Sequence, residues 1–336
     1  MTKPVVAVLA APHPRERIFT AESWRELSEA FDVYDLTEEP ERLDDVLPGA
    51  FAVVGQPDLP RERLDRAAAL RAVLNVEGNF YPNVDYAACF ERGVHVLGCG
   101  PAYADAVAEF ALGLALDLAR GITEEDRAFR AGTERYVATG NDDAFLLRGA
   151  ALGLIGFGNL GRALVPLLAP FRPTIRAYDP WLPDDVLDAA GLIPASLDDV
   201  LTDSRVVFVL ATVTAESERL LGTAELAALP DGACVVLVSR APVVDFDAVL
   251  DEVASGRLRA AIDVWPDEPV PAEHRARTLD GLVLSPHRAG GIPQAFQQIG
   301  RMVVDDLRLI ARGLPPVRMQ AAAPELVARY RNRPVR

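Results

Sequence analysis

Ala151-Leu152-Gly153-Leu154-Ile155-Gly156-Phe157-Gly158-Asn159-Leu160-Gly161 is the stretch that decides the fold. A short apolar run of the kind that forms a buried strand leads into G-x-G-x-x-G, and Leu160–Leu168 then continues with helical spacing. Glycines alone are a weak signal, but strand, turn and helix in this order are the context in which the pattern binds a dinucleotide. Gly156 permits the tight turn, Gly158 lets backbone approach a pyrophosphate, and Gly161 lets the helix pack on the strand. The first turn, with Asn159 and Leu160, offers N–H groups and the positive end of the helix dipole to phosphate. The next strand ends at Tyr178-Asp179-Pro180, and Asp179 lies 18 residues beyond Gly161. That is near the spacing of the acid that binds the adenosine ribose. A carboxylate there repels a 2′-phosphate, and Pro180 and Trp181 supply no cation, so NAD is expected rather than NADP.

Outward from this unit the chain alternates strand-like and helix-like segments. Downstream, strands are predicted at Thr174–Tyr178, Val206–Ala211, Cys234–Val238, Ala260–Val264 and Leu282–Leu284. Helices are predicted at Leu197–Leu201, Ala224–Leu229 and Phe246–Ser255, with a long closing helix over Pro293–Gly313. Upstream, strands are expected at Val5–Ala10, Ala52–Val54, Ala72–Val76 and Val94–Leu97. Ala21–Ala30, Arg61–Ala69 and Val84–Glu91 carry helical spacing. Residues 105–120 read as a buried helix with Asp105 as its N-cap, and 121–147 as a helix and a loop. This βαβ rhythm implies α/β architecture with doubly wound parallel sheets.

With 336 residues, half of them apolar, the chain has material for two cores. A formal net charge of −15 argues against nucleic acid and anionic membrane surfaces as partners. An anionic substrate would therefore need local positive charge in its site. Cys89, Cys99 and Cys234 show no metal-ligand spacing, so no metal is expected, and they read as thiols of a reducing compartment. The apolar start, Val5–Ala11, is short and stopped by Pro12 and Pro14, which favours a first strand over a signal peptide. A cytoplasmic protein is expected. The arginine-bearing tail from Arg329 reads as a solvated end.

In a parallel doubly wound sheet the carboxyl ends of the strands face the ligand crevice. Three such ends carry polar residues: Ser239-Arg240, Asp263 followed by Glu268, and Ser285-Pro286-His287. Arginine binds a carboxylate through a two-pronged fork and stabilises a developing oxyanion. Histidine passes a proton near neutrality, and a neighbouring carboxylate orients it. Arg240, Glu268 and His287 are thus the expected catalytic set. Thr212, Ser239 and Asp263, at the carboxyl ends of predicted strands, are expected to touch the cofactor. His13, His95 and His274 read as structural or surface residues.

At this point the sequence resembles the D-isomer-specific 2-hydroxyacid dehydrogenases, over roughly residues 70–315. Val107-Ala108-Glu109 resembles the family's VAE helix, and Gly156–Gly161 its glycine loop. Thr214-Ala215-Glu216-Ser217 resembles TPxT, and Arg240 with Val244-Asp245 resembles RGxxVD. Asp263-Val264-Trp265-Pro266-Asp267-Glu268-Pro269 resembles DVFxxEP, and Ser285-Pro286-His287 resembles TPH. The resemblance implies hydride transfer between NAD and a small 2-hydroxy/2-keto acid. Arg240 would anchor the substrate, His287 would be the acid/base and Glu268 its partner. It also implies a Rossmann nucleotide domain (103–291) inserted into a flavodoxin-like substrate domain (1–102 with 292–336), a closing helix that returns to the first domain, and a homodimer. The chain departs from the family at Leu237, where Asn is usual, and at Ala241, where Gly is usual. The first-domain loop Asn75-Val76-Glu77-Gly78-Asn79-Phe80-Tyr81 has Phe80 for a usual Gly and adds an acid, Glu77. Glu77, Gly78 and Asn79 are the expected substrate contacts of that loop. Together with Tyr81, the polar side chains favour a hydroxylated acid, sugar-derived or hydroxypyruvate-like. Two alternatives have the same resources: a non-catalytic NAD-sensing binding protein, and an NAD-dependent dehydrogenase of phosphite or formate. The family's formate enzymes typically lack a glutamate at the place of Glu268. The chain also ends near the closing helix, without the regulatory domain of long phosphoglycerate dehydrogenases.

Overall fold

The computed structural model describes residues 2–78 and 80–329. The arginine-bearing end beyond Arg329 and the substrate contact expected of Asn79 lie outside the described residues. The chain divides into two compact units. One comprises the residues up to Tyr103 together with those from Gly291 onward, and the other is Ala104–Gly290.

In the first unit the strands are β1 (Val5–Leu9), β2 (Asp32–Asp35), β3 (Ala50–Gly55), β4 (Ala72–Leu74) and β5 (His95–Gly98). The second unit holds β6 (Ala151–Ile155), β7 (Thr174–Tyr178), β8 (Ile193–Pro194), β9 (Val206–Val209), β10 (Cys234–Leu237), β11 (Arg259–Ile262) and β12 (Leu282–Leu284). β13 (Gln320–Ala321) returns to the first unit.

The first sheet runs β13-β5-β4-β3-β1-β2 and is parallel except for β13, which pairs antiparallel with β5. Its inner strands β1, β3 and β4 are apolar on both faces because both faces are covered. Val6, Val8, Val54 and Leu74 pack with Phe296, Ile299, Met302 and Val303 of the helix Pro293–Ala311. Ala7, Leu9, Val53 and Val73 pack on the other face with Leu43, Leu47, Leu64 and Tyr86. The fully buried Asp306 of this long helix accepts hydrogen bonds from the N–H groups of Val317, Arg318 and Met319. A buried carboxylate is tolerable only when satisfied in this way, and the three bonds lead the chain into β13.

The second sheet runs β12-β11-β10-β9-β6-β7-β8, all parallel. From β6 the chain winds to β7 and β8 on one side, then crosses to β9 on the other, so the strand order reverses between β6 and β9. Ile155, Val207, Val209, Val235, Leu237 and Ile262 build a core with Val249, Leu250 and Val253 of the helix Phe246–Ala254.

The expected helix at 105–120 begins earlier, at Gly100, so Asp105 lies within it rather than capping it. Pro101 accounts for the early start, since a first-turn proline has its φ preset and needs no N–H partner. The expected helix Val84–Glu91 is shorter, Tyr86–Glu91, with Asp85 as its cap: its carboxylate accepts from the Ala88 N–H. Residues 121–147 contain the helix Ile122–Ala131 followed by irregular chain. No described helix is long and apolar enough to cross a membrane.

Candidate active site

Gly156 ends β6 with φ +95°, in the region that favours glycine, and a Cβ there would lie 2.8 Å from the Ala211 nitrogen. A Cβ on Gly161 would lie 2.9 Å from the Phe157 ring and 3.1 Å from the Gly156 carbonyl oxygen. Both glycines are therefore demanded by the protein's own packing. Gly158 is different: a Cβ there would meet nothing within 4 Å. It stands at the N-cap of the helix Asn159–Leu168 with no side chain to occupy the first-turn N–H groups. Open space at a helix N-terminus whose cap residue carries no side chain suits a pyrophosphate. Asp179, at the end of β7, accepts the Phe157 N–H at 2.8 Å and the Trp181 N–H at 3.0 Å. Each carboxylate oxygen retains acceptor capacity for a ribose hydroxyl. Beyond β9 the Ser217 hydroxyl donates to the Thr212 carbonyl at 2.6 Å, and the Thr214 N–H donates to Ser217, closing a tight turn. The buried Ser239 hydroxyl has no protein partner. An orphaned buried hydroxyl at the end of β10 fits a polar ligand group. These residues suit a dinucleotide.

The second set of residues follows three adjacent parallel strands, β10, β11 and β12. His287 Nδ1 lies 2.8 Å from Glu268 Oε2, both side chains being about two-fifths exposed (44% and 37%). Glu268 Oε1 accepts the Trp265 N–H at 3.1 Å. His287 has φ +53°, an unusual conformation for a residue with a Cβ. Its own N–H donates to the Asp263 carbonyl at 2.8 Å. The Asp263 carboxylate, 1% exposed, accepts from the Ser285 hydroxyl at 2.5 Å, the Arg288 N–H at 2.8 Å and the Ala289 N–H at 3.1 Å. Asp263, expected among the cofactor contacts, thus spends its carboxylate on the turn that carries His287. Arg240 is exposed just beyond β10, and its guanidinium donates to the Ser239 carbonyl at 2.7 Å. With Nδ1 engaged by a carboxylate, the imidazole has Nε2 left for proton exchange.

In the first unit, Glu77 and Gly78 follow β4. Glu77 Oε1 lies 3.2 Å from His13 Nε2, which was expected to be structural or at the surface. The His13 ring packs edge-on against Phe296, and burial holds its pKa below the usual histidine value against the opposing pull of Glu77. The signal for His13 was its place beyond the apolar β1, the same rule that picks out His287. The Gly78 N–H donates to the buried Cys99 sulfur, and the Tyr81 hydroxyl donates to the Glu77 carbonyl at 2.7 Å. The Tyr81 hydroxyl is therefore used to brace the loop. Among the described residues no group of three or more His, Cys, Asp or Glu side chains is placed to hold a metal ion.

The sequence matches the model of the D-isomer specific 2-hydroxyacid dehydrogenase, NAD binding domain, over residues 112–289. It is 30% identical to a glyoxylate reductase of Thermofilum pendens over 269 residues, 76% of each chain. It is 29% identical over 268 residues to a D-3-phosphoglycerate dehydrogenase of Archaeoglobus fulgidus, covering 79% of this chain and 50% of that one. Among solved structures it is similar to a phosphoglycerate oxidoreductase from Rhizobium etli, with 43% identity and a TM-score of 0.86 over 96% of this chain and 99% of that one.

Proposed function

The chain belongs to the D-isomer specific 2-hydroxyacid dehydrogenases, NAD-dependent oxidoreductases, and from that premise we propose that Arg240, Glu268 and His287 carry out its reaction on a small 2-keto or 2-hydroxy acid. The observation that carries this reading is the 2.8 Å contact between His287 Nδ1 and Glu268 Oε2, beside the strand end that bears Arg240. NADH, when bound, supplies the hydride. Arg240 grips the substrate carboxylate with its guanidinium fork and stabilises negative charge growing on the carbonyl oxygen. His287 hands its Nε2 proton to that oxygen, and Glu268 holds the imidazole in orientation. Gly156, Gly158, Asn159, Leu160 and Gly161 cradle the pyrophosphate, Asp179 takes the ribose, and Thr212 and Ser239 line the cofactor. In this reading the unit Ala104–Gly290 is the nucleotide domain and the other unit the substrate domain.

The substrate is proposed to be a hydroxylated short acid of the hydroxypyruvate or sugar-derived kind. Support comes from Glu77, whose carboxylate pairs with His13 and offers acceptors to a hydroxyl while opposing a second anionic group. Relatives named glyoxylate reductase, hydroxypyruvate reductase and D-3-phosphoglycerate dehydrogenase all concern acids of two or three carbons. A homodimer is part of the proposal. Ile122, Phe129, Tyr136, Val137 and Leu146 are large apolar side chains left exposed within one short stretch, as at a surface that meets a second copy.

The test is NADH oxidation with a panel of glyoxylate, hydroxypyruvate, its phosphorylated form and 2-ketoisocaproate, beside NAD reduction with phosphite and formate. Hydroxypyruvate should be reduced best, and His287→Ala should abolish turnover while leaving NADH binding intact. Arg240→Ala should raise KM and lower kcat together. Full activity in either variant, or a strong preference for 2-ketoisocaproate, refutes the corresponding part.

A further inference from the structure

We propose that Trp265 is a positioning residue for proton transfer: its backbone N–H and its indole N–H tie Glu268 and the His287 segment into one rigid ring. The inference rests on the reading of His287 as the acid/base. Starting at Trp265, the backbone N–H donates to Glu268 Oε1 at 3.1 Å, and Glu268 Oε2 meets His287 Nδ1 at 2.8 Å. Two residues before His287, the Ser285 carbonyl accepts the Trp265 indole N–H at 2.8 Å, which closes the circuit. One residue therefore touches both ends of the His287–Glu268 contact, its backbone N–H at Glu268 and its indole at the segment that carries His287. Those two side chains are substantially exposed, so packing alone does not hold them.

Trp265 itself is well held. It is 9% exposed, with the Phe246 ring at 5.5 Å and the His274 ring at 5.8 Å, nearly perpendicular. His274 is fixed in turn, its Nδ1 accepting the Ala276 N–H at 3.3 Å. The family pattern that Asp263–Pro269 resembles has phenylalanine at this place. A phenyl ring fills the same apolar space but has no N–H for the Ser285 carbonyl. The indole donor is thus an addition in this chain, and its acceptor lies on the turn that holds His287 at a positive φ.

The experiment replaces Trp265 with phenylalanine and, separately, with benzothienylalanine, which keeps the bicyclic shape and exchanges the N–H for sulfur. Both are made in the native and the Glu268→Gln backgrounds. Loss of one net hydrogen bond from the transition-state arrangement corresponds to a fall in kcat of about tenfold. The KM for NADH should stay within about twofold, because the cofactor contacts lie elsewhere. In the Glu268→Gln background, where the circuit is already weakened, the same replacements should cost less than about twofold. Unchanged kcat in the benzothienylalanine variant, or equal losses in both backgrounds, overturns the inference. His287→Ala, measured in parallel, separates the two levels: full activity there refutes the acid/base reading itself, whatever Trp265 does.

Discussion

Asp263→Asn probes the turn that carries His287 with the smallest change of shape. In the native protein one carboxylate oxygen accepts from the Ser285 hydroxyl and the Arg288 N–H, and the other accepts from the Ala289 N–H. Asparagine keeps one acceptor oxygen, so the first two bonds survive as neutral ones, each weakened by about 1 kcal/mol. The amide NH2 then faces the Ala289 N–H, donor against donor, which forfeits a charge-assisted bond of about 1.5–3 kcal/mol. The site is 1% exposed, so water cannot compensate. The total is a destabilisation of about 3–5 kcal/mol. For a unit of the size of Ala104–Gly290 that is a melting shift of about 6–20 °C, measurable by calorimetry. His287 should also relax from φ +53°, a conformation that costs a non-glycine residue about 1–2 kcal/mol. With the imidazole displaced from Glu268, kcat should fall by at least about tenfold at low temperature, where the fold persists. A variant that melts within about 1 °C of the native protein would show that the three bonds carry no net energy. One that is destabilised yet fully active would show that the turn does not position His287.

Four further outcomes are expected. Gly158→Ala should leave the melting temperature unchanged within about 1 °C yet weaken NAD binding at least about tenfold by calorimetric titration, because its Cβ meets only open space. Gly156→Ala should lose both stability and binding, since φ +95° and the Ala211 backbone oppose a side chain; equal behaviour of the two variants would contradict the cradle. All three cysteines are buried, and burial raises their thiol pKa, for Cys89 and Cys99 to about 12, so a disulfide reagent at mildly alkaline pH should react only after denaturation. Rapid stoichiometric labelling of the native protein would refute that burial. Phe129→Glu with Leu146→Glu should convert the proposed dimer to a monomer by light scattering, and an unchanged mass would refute the apolar patch as its interface.

Apart from the two-residue edge strand β8, the strands of the second unit were legible, and parallel strands buried on both faces, such as Val206–Val209 and Cys234–Leu237, read as plain apolar runs. β2 was not, since Asp32-Val33-Tyr34-Asp35 lies at a sheet edge with little buried surface, and only its pairing with β1 makes it a strand. β13 is two residues long and exists because Asp306 turns the chain back onto β5. Of the site, Arg240, Glu268 and His287 could be singled out by position after strands. The pairing of Glu77 with His13, far apart in sequence, could not.

By itself the sequence determined what depends on local backbone and pattern: the glycine turn after β6, Asp179 at the end of the next strand, and the doubly wound alternation of elements. Tertiary structure alone decided what depends on distant groups meeting in space. Asp263, which could have faced a ligand, turns inward because three donors on the β12 turn are buried beside it and must be satisfied. Trp265, a motif position by pattern, gains its place next to His287 only because β11 and β12 lie side by side in register.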